Sequence, residues 1–437
     1  MEKISKLFTA LFMGLFAVSL TACSDDDNGG GDEGVIDPYT YPSAAPTSLE
    51  DVVTVYLNDV IYPTYTSLAN HAQVLYEACN TLYQAAEAGT MTQAQIDAAC
   101  EAFSDARVDW ERSEAWLYGA ASDHDIDPHI DSWPLDQTQM RTFLTNPTMV
   151  AGIKGSNPAL FVRENNAVYD TALGFHGMEF VLFRDGGNRT LEALSQNETM
   201  EGMTSVAAID ELAFLAAVAA DLRDKCFQLE YCWLGGDTGT QHITHLQTNC
   251  TDITADELVS PFGNSYGADM LATGSASQCS YPSWQNCANN IFIGGCSNIC
   301  QEVYSQKLGQ AYRVATGQGG EDDASDYIES PYSKRSFRDY RDNIYSIKNS
   351  LFGSTDITLT TPLQNSLLNY LKKNGYSRTA NLSASLQEAI DALTSAMNSG
   401  IAFVDDPGNR QVQECITAVN ALDDELNQAG RWIARQL

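Results

Sequence analysis

The chain has 437 residues, with 57 acidic against 24 basic side chains and a formal net charge of −33. So acidic a chain opposes nucleic acid and anionic surfaces, and favours cations and solubility. Its length is enough for two sizeable cores of about 150 residues each, and no segment beyond the N-terminus is long and apolar enough to span a membrane.

The N-terminus sets the expected address. Lys3 and Lys6 form a basic region, residues 7–20 are apolar but too short for a stable span, and small residues lead to Cys23. This is the pattern of a bacterial lipoprotein leader: a signal peptide over 1–22, cleaved to leave Cys23 for lipidation. Cleavage would leave 437 − 22 = 415 residues and, with Lys3, Lys6 and Glu2 gone, a charge of −34. Residues 23–47 begin with Ser24-Asp25-Asp26-Asp27 and a glycine run, the composition of a flexible tether. The acidic run behind the cysteine resembles the surface-export signal of Bacteroidetes lipoproteins. That resemblance implies an outer-membrane lipoprotein exposed at the cell surface; a spacer holding the protein on the periplasmic side is the alternative.

Helical periodicity dominates the chain beyond the tether. A first helical bundle is predicted over 48–233, with helices at 49–88 (kinked or restarted at Pro63), 93–118, 159–183 and 204–230. Residues 234–296 change to Gly, Asn, Thr, Ser and Cys without a sustained period, and read as a long cysteine-rich irregular insertion. A second bundle is predicted over 297–437, with helices at 297–316, 334–352, 362–372, 377–399 and 407–435, Pro362 and Pro407 standing at first-turn positions. Strand signals are sparse. The fold class is all-α: two helical-bundle modules with the insertion between them.

Eleven cysteines are present, ten apart from Cys23. An even number in an exported chain reads as disulfides, with Cys79 and Cys100 the easiest pair to propose. Cys279, Cys287, Cys296 and Cys300 have a spacing that also suits a zinc knot.

Two segments carry candidate chemistry. In Gly174-Phe175-His176-Gly177-Met178-Glu179, His176 and Glu179 fall on one face of a helix within an apolar run. A polar pair buried there requires partners, as a structural hydrogen bond or as half of a ligand site. On the predicted helix 93–118, Arg107, Glu111 and Glu114 fall at i, i+4 and i+7 with Trp110 beside them. Arg107 and Glu111 also suit a plain exposed ion pair. Gly174 suits the close approach of another helix. Asp131-Ser132-Trp133-Pro134 reads equally as a capped turn or as part of the site.

Four segments in this order resemble the imelysin-like family: residues 106–115 around Trp110, the Asp-x-Trp-Pro of Asp131 to Pro134, the Gly-x-His-x-x-Glu of Gly174, His176 and Glu179, and residues 339–344 followed by Leu351-Phe352-Gly353. The resemblance covers roughly the whole chain after the leader. It implies a two-bundle layout, places Asp131 and Trp133 near His176 and Glu179, and sets Glu114 in the family's Trp-x-x-x-Glu position. It also brings an association with iron-regulated and iron-transport systems and a historical metallopeptidase label.

The expected centre is therefore His176, Glu179 and Glu114 as ligands of one divalent metal, iron or zinc, with Arg107, Trp110, Glu111, Asp131, Trp133 and Gly174 around them. The function expected first is metal binding for nutrient uptake by a lipid-anchored protein, with an outer-membrane transport partner and no nucleic acid. A metallopeptidase is the second reading. Against it, His-Glu-x-x-His is absent, and the inverted His-x-x-Glu-His needs a histidine where Phe180 stands. His242 and His245 have ligand-like spacing but fall in the insertion. A non-catalytic receptor for an organic or protein ligand is the third reading, with Trp110 and Trp133 as its apolar wall.

Overall fold

Ser48 starts the first helix: its side chain accepts a hydrogen bond from the Asp51 N–H and caps α1 (Leu49–Tyr56). In this computed structural model, which describes residues 34–275 and 279–436, regular structure is almost wholly helical. The strands among the described residues are one short pair, Phe183–Arg184 against Gly187–Asn188. Residues from Val35 onward form one unit. The predicted leader, Cys23 and the first part of the tether lie outside the described residues.

The expected kink at Pro63 takes a specific form. α1 passes through a π-helical turn, Leu57–Ile61, into α2 (Tyr62–Glu87). Pro63 has no N–H to offer the preceding turn, and the widened turn absorbs the missing bond. A capping box at Thr92 and Gln95 starts α3 (Gln93–Glu111). This helix stops at Glu111 rather than at 118. The Ser113 hydroxyl donates to the Trp110 carbonyl (2.7 Å), satisfying a helix-end acceptor, and Glu114–Trp116 then form a separate 3-10 turn. Glu114 thereby leaves the stripe on which the sequence placed it.

The predicted helix 159–183 is two helices, α4 (Pro158–Tyr169) and α5 (Gly174–Leu182). Both pack on the central α6 (Ala208–Leu234), as does α2. Ala213, Ala216, Ala217, Ala219 and Ala220 are all buried on α6, small residues that let neighbouring helices close in on it. The second group packs α7 (Ser336–Phe352), α8 (Thr379–Met397) and α9 (Arg410–Ala434) together. α9 begins behind an Asn409 cap, three residues past Pro407. α7 also packs on α3, and one hydrophobic core runs through both groups.

Two expectations are corrected. The stretch 234–296 is not irregular throughout; it holds helices at Thr240–Asn249, Tyr266–Leu271 and Trp284–Asn290 and a π-helical run at Ile291–Ser297. Its turn-forming residues shorten helices rather than abolish them. The ten described cysteines, Cys79 and Cys100 included, carry free, buried thiols rather than disulfides. Most sit in the main core as small apolar side chains. Cys279, Cys287, Cys296 and Cys300 do not converge on a metal-ligand cluster among the described residues.

Gly174 fixes how α5 enters the molecule. Its φ is +63°, and a Cβ there would fall on the carbonyl of Ile130, the residue before Asp131. The close approach read from the sequence is thus made by a backbone. Gly174→Ala is expected to destabilise the fold by about 3 kcal/mol, from left-handed strain plus overpacking. Urea unfolding of the single variant checks this, and an unchanged midpoint would contradict the stated contact.

Candidate metal centre

The site grows around Arg107. Its side chain is fully buried on α3 and reaches carboxylates from four places in the chain. Glu111, one turn on, lies 2.5 Å away. Asp131, just after the short helix Asp127–Ile130, and Glu329, in the segment before α7, both accept hydrogen bonds from the guanidinium. Asp339 on α7 lies 3.9 Å from Nε. The Phe175 ring covers the guanidinium at 5.1 Å. The exposed i,i+4 contact considered for Arg107 and Glu111 is therefore a buried one.

Asp131 is held from several sides. Trp110 donates its indole N–H to Oδ2 (2.7 Å), and His176 Nε2 lies 3.0 Å from Oδ1. The latter contact is badly aligned, so His176 Nε2 has no hydrogen-bond partner within the protein. On the other side of the ring, Nδ1 lies 3.9 Å from Glu179 Oε2, which is also without a partner. Glu179 is oriented through Oε1, which accepts from the Ser333 N–H and hydroxyl, each at 2.7 Å. Asn343 on α7 donates to Glu111 Oε2 at 2.5 Å.

Ligand atoms of Asp131, His176 and Glu329 lie within 4.8 Å of one another, and all three residues are buried. This set overlaps the sequence-predicted one only at His176. Glu179 stands beside the imidazole, while Glu114 lies 4.0 Å from Lys307 Nζ and is not among the residues whose ligand atoms converge with His176. Trp133 packs at a tilt against Tyr327 (ring centroids 4.2 Å apart), and the Lys307 ammonium lies over its ring. Sequence reasoning misses Glu329, Lys307, Ser333 and Asn343. Asn343 lies in the 339–344 segment that carries the family resemblance; Glu329 and Lys307 have no motif around them.

The remaining histidines are engaged elsewhere. His71 pairs with Asp109, His129 with Asp221, His242 with Glu230 and His245 with Asp224, all within 2.8 Å, while His124 lies 3.3 Å from the Tyr266 hydroxyl. Asp224, His245 and Cys250 make a second group with ligand spacing. In that group the histidine is already engaged, His245 Nε2 lying in a 2.8 Å hydrogen bond with Asp224, whereas His176 Nε2 makes no aligned hydrogen bond.

The electrostatics of the centre stem from burial and pairing. Burial works to neutralise His176, but the carboxylates of Asp131 and Glu179 outweigh it and raise the imidazole to about 9. Burial works to raise Asp131, and Arg107 and His176 instead hold it well below the usual carboxylate range. Glu111 and Glu114 are pushed well above that range by burial, against the pull of Arg107 and Lys307 respectively.

Arg107→Ala strands buried carboxylates and is expected to cost about 3–5 kcal/mol in urea unfolding, with Arg107→Lys restoring little because one ammonium cannot serve several carboxylates at once. His176 is raised from an ordinary 6.5 to about 9. Its charge therefore stabilises the fold fully below pH 6.5, and that contribution disappears as the pH rises through 9. The unfolding midpoints of the parent and His176→Gln should converge across that window; a gap that does not narrow would contradict the protonated imidazole.

Residues 61–427 match the family model described as Imelysin, Peptidase_M75. Over 128 residues the chain is 30% identical to "Iron-regulated protein A" of Synechococcus elongatus, a match covering 29% of this chain and 30% of that protein. The match thus spans less than a third of that relative. Among solved structures, a putative iron-regulated protein A precursor from Parabacteroides distasonis aligns with a TM-score of 0.63 at 24% identity, covering 91% of this chain and 99% of that one. An imelysin-like protein from Psychrobacter arcticum aligns at 0.50 and 13% identity, covering 90% and 96%. At these identities the structural likeness speaks for the fold alone. The match to the family model extends over most of the sequence, including every residue of the centre, and the chain belongs to the imelysin family.

Proposed function

We propose that this protein binds one divalent metal ion, iron first, at Asp131, His176 and Glu329, and serves iron acquisition. The observation that carries the reading is the convergence of these three buried side chains, with the imidazole Nε2 3.0 Å from Asp131 but in no aligned hydrogen bond. One imidazole with two carboxylates is a donor set suited to iron, manganese or zinc. Glu179, fixed by Ser333, would orient the imidazole from its far side, as carboxylates behind metal-bound histidines do. The names of the relatives, iron-regulated protein A in two organisms, agree with an iron-related role. An anchor through a lipidated Cys23 would hold the protein at the outer membrane beside a transport partner.

The centre suits an ion better than a polypeptide. A catalytic zinc keeps an open position toward its substrate, whereas His176 is 3% exposed and Asp131 6%. Among the described residues, no other histidine approaches His176 to complete a two-histidine zinc set. Arg107 already faces the carboxylates of Glu111, Asp131 and Glu329, which leaves little of its charge for an anionic organic ligand.

Elemental mass spectrometry after exposure to iron and zinc tests the proposal. The expected result is about one equivalent in the parent and none in His176→Ala, with weaker loading toward acidic pH because the ion must displace the imidazole proton. A parent that takes up neither metal would overturn the reading.

A further inference from the structure

A cavity of about 90 Å³ that shares no residue with the centre lies where the end of α6 meets the short helix Tyr266–Leu271. Tyr118, Trp233, Tyr266 and Tyr281 stand in its wall with the carboxylates of Asp123 and Asp269; no lysine, arginine or histidine does among the described residues. Asp269 is 2% exposed, and both its oxygens accept from the Ser280 N–H, at 3.2 and 3.3 Å. That donor is neutral, so the wall gives a buried carboxylate no counter-charge. Asp123 is exposed and accepts from the Tyr266 hydroxyl (2.7 Å), which joins the cavity to solvent. His124 lies 3.3 Å from the same hydroxyl, and burial lowers it, so it adds no fixed charge. Trp233, in the same wall, is 1% exposed, and its indole N–H has no partner. The protein's own groups thus leave this corner of the core unsatisfied in both charge and hydrogen bonding.

We infer that this cavity binds a small organic ammonium ion, its charge balanced by Asp269 and Asp123 and its methyl or methylene groups set against the aromatic rings. The chemistry of the wall selects among ligands. An anion is opposed by the two carboxylates. A neutral apolar molecule or a sugar would dry the cavity and leave Asp269 without a counter-charge. Neither carboxylate belongs to a group with metal-ligand spacing among the described residues, and rings make up most of the remaining polar wall, so a bare metal ion lacks ligands there. An organic ammonium meets both demands, because its charge is attracted to carboxylates and to the faces of aromatic rings alike. The rings stay neutral for this purpose: burial, with the nearby carboxylates adding to it, pushes the Tyr266 and Tyr281 phenols up. The site does not depend on the metal-binding reading.

Isothermal titration calorimetry of the full chain with tetramethylammonium, choline and dimethylbutanol, the uncharged carbon isostere of choline, tests this. The titrations are run at physiological salt, which screens the general acidity of the surface. The parent should bind about one equivalent of each cation and bind the isostere about tenfold more weakly or not at all. Asp269→Asn keeps an acceptor for the Ser280 N–H and removes the charge; it should weaken both cations about tenfold and leave the isostere unchanged. Tyr281→Leu should weaken the cations several-fold. A parent that binds neither cation, or binds the isostere as tightly, overturns the inference, and so does a folded Asp269→Asn with parental affinity. Circular dichroism checks folding. If Asp269→Asn does not fold, Asp123→Asn at the exposed rim takes its place, and parental affinity for the cations in that variant overturns the inference. None of these outcomes bears on metal uptake at Asp131, His176 and Glu329.

Discussion

The guanidinium of Arg107 is the interaction on which the centre depends. It is buried completely and touches carboxylates from its own helix, from the turn after Ile130, from the segment before α7 and from α7 itself. An unpaired charge at that depth costs several kcal/mol, so these chain segments are tied to one another by the need to neutralise it. Arg suits the task where Lys does not, because a planar fork of donors reaches several oxygens at once. The junction of the two helical groups is thus specified by a polar contact as well as by the apolar core that runs through it. Trp110 and Phe175 close this junction, one bonding Asp131 and the other covering the guanidinium.

How much of this is legible in the sequence depends on the range of each interaction. The Arg107–Glu111 spacing and the His176–Glu179 spacing are local helix geometry, and both survive in the fold. The helical character of the chain is legible from periodicity, and the restart at Pro63 from its missing N–H. Glu114 is misplaced by periodicity because a hydroxyl, Ser113, ends the helix early, which no apolar period records. Glu329 and Lys307 are invisible for a different reason. Each reaches Arg107 or its carboxylates only through tertiary packing, Glu329 from 222 residues away. The π-helical register that aims Lys307 inward is likewise absent from any pattern of apolar residues.

The cysteines show the limit of counting. Parity and an exported address point to disulfides, yet the described thiols are free and packed into apolar surroundings. Cys79 has Cys100 beside it and still lies in the core as a small hydrophobe, its thiol pushed upward chiefly by burial. Parity is an argument about compartment, whereas burial is an argument about volume, and the second decides how these side chains pack.

The charge balance of the centre explains how so many carboxylates tolerate burial. Arg107, Lys307 and His176 stand among these carboxylates, and burial pushes Glu111 and Glu114 well above the usual carboxylate range, so that they hold their protons more tightly. Protons and tethered cations are thus the counter-ions of the free protein. On the proposed reading, a divalent ion arriving at Asp131, His176 and Glu329 would exchange for the imidazole proton, so the local charge would change by less than the charge of the ion. In the proposed metal-bound state that exchange would spare the buried cluster much of the electrostatic penalty of the ion. It would also make the pH, rather than ligand count alone, the quantity that sets how readily the proposed site loads.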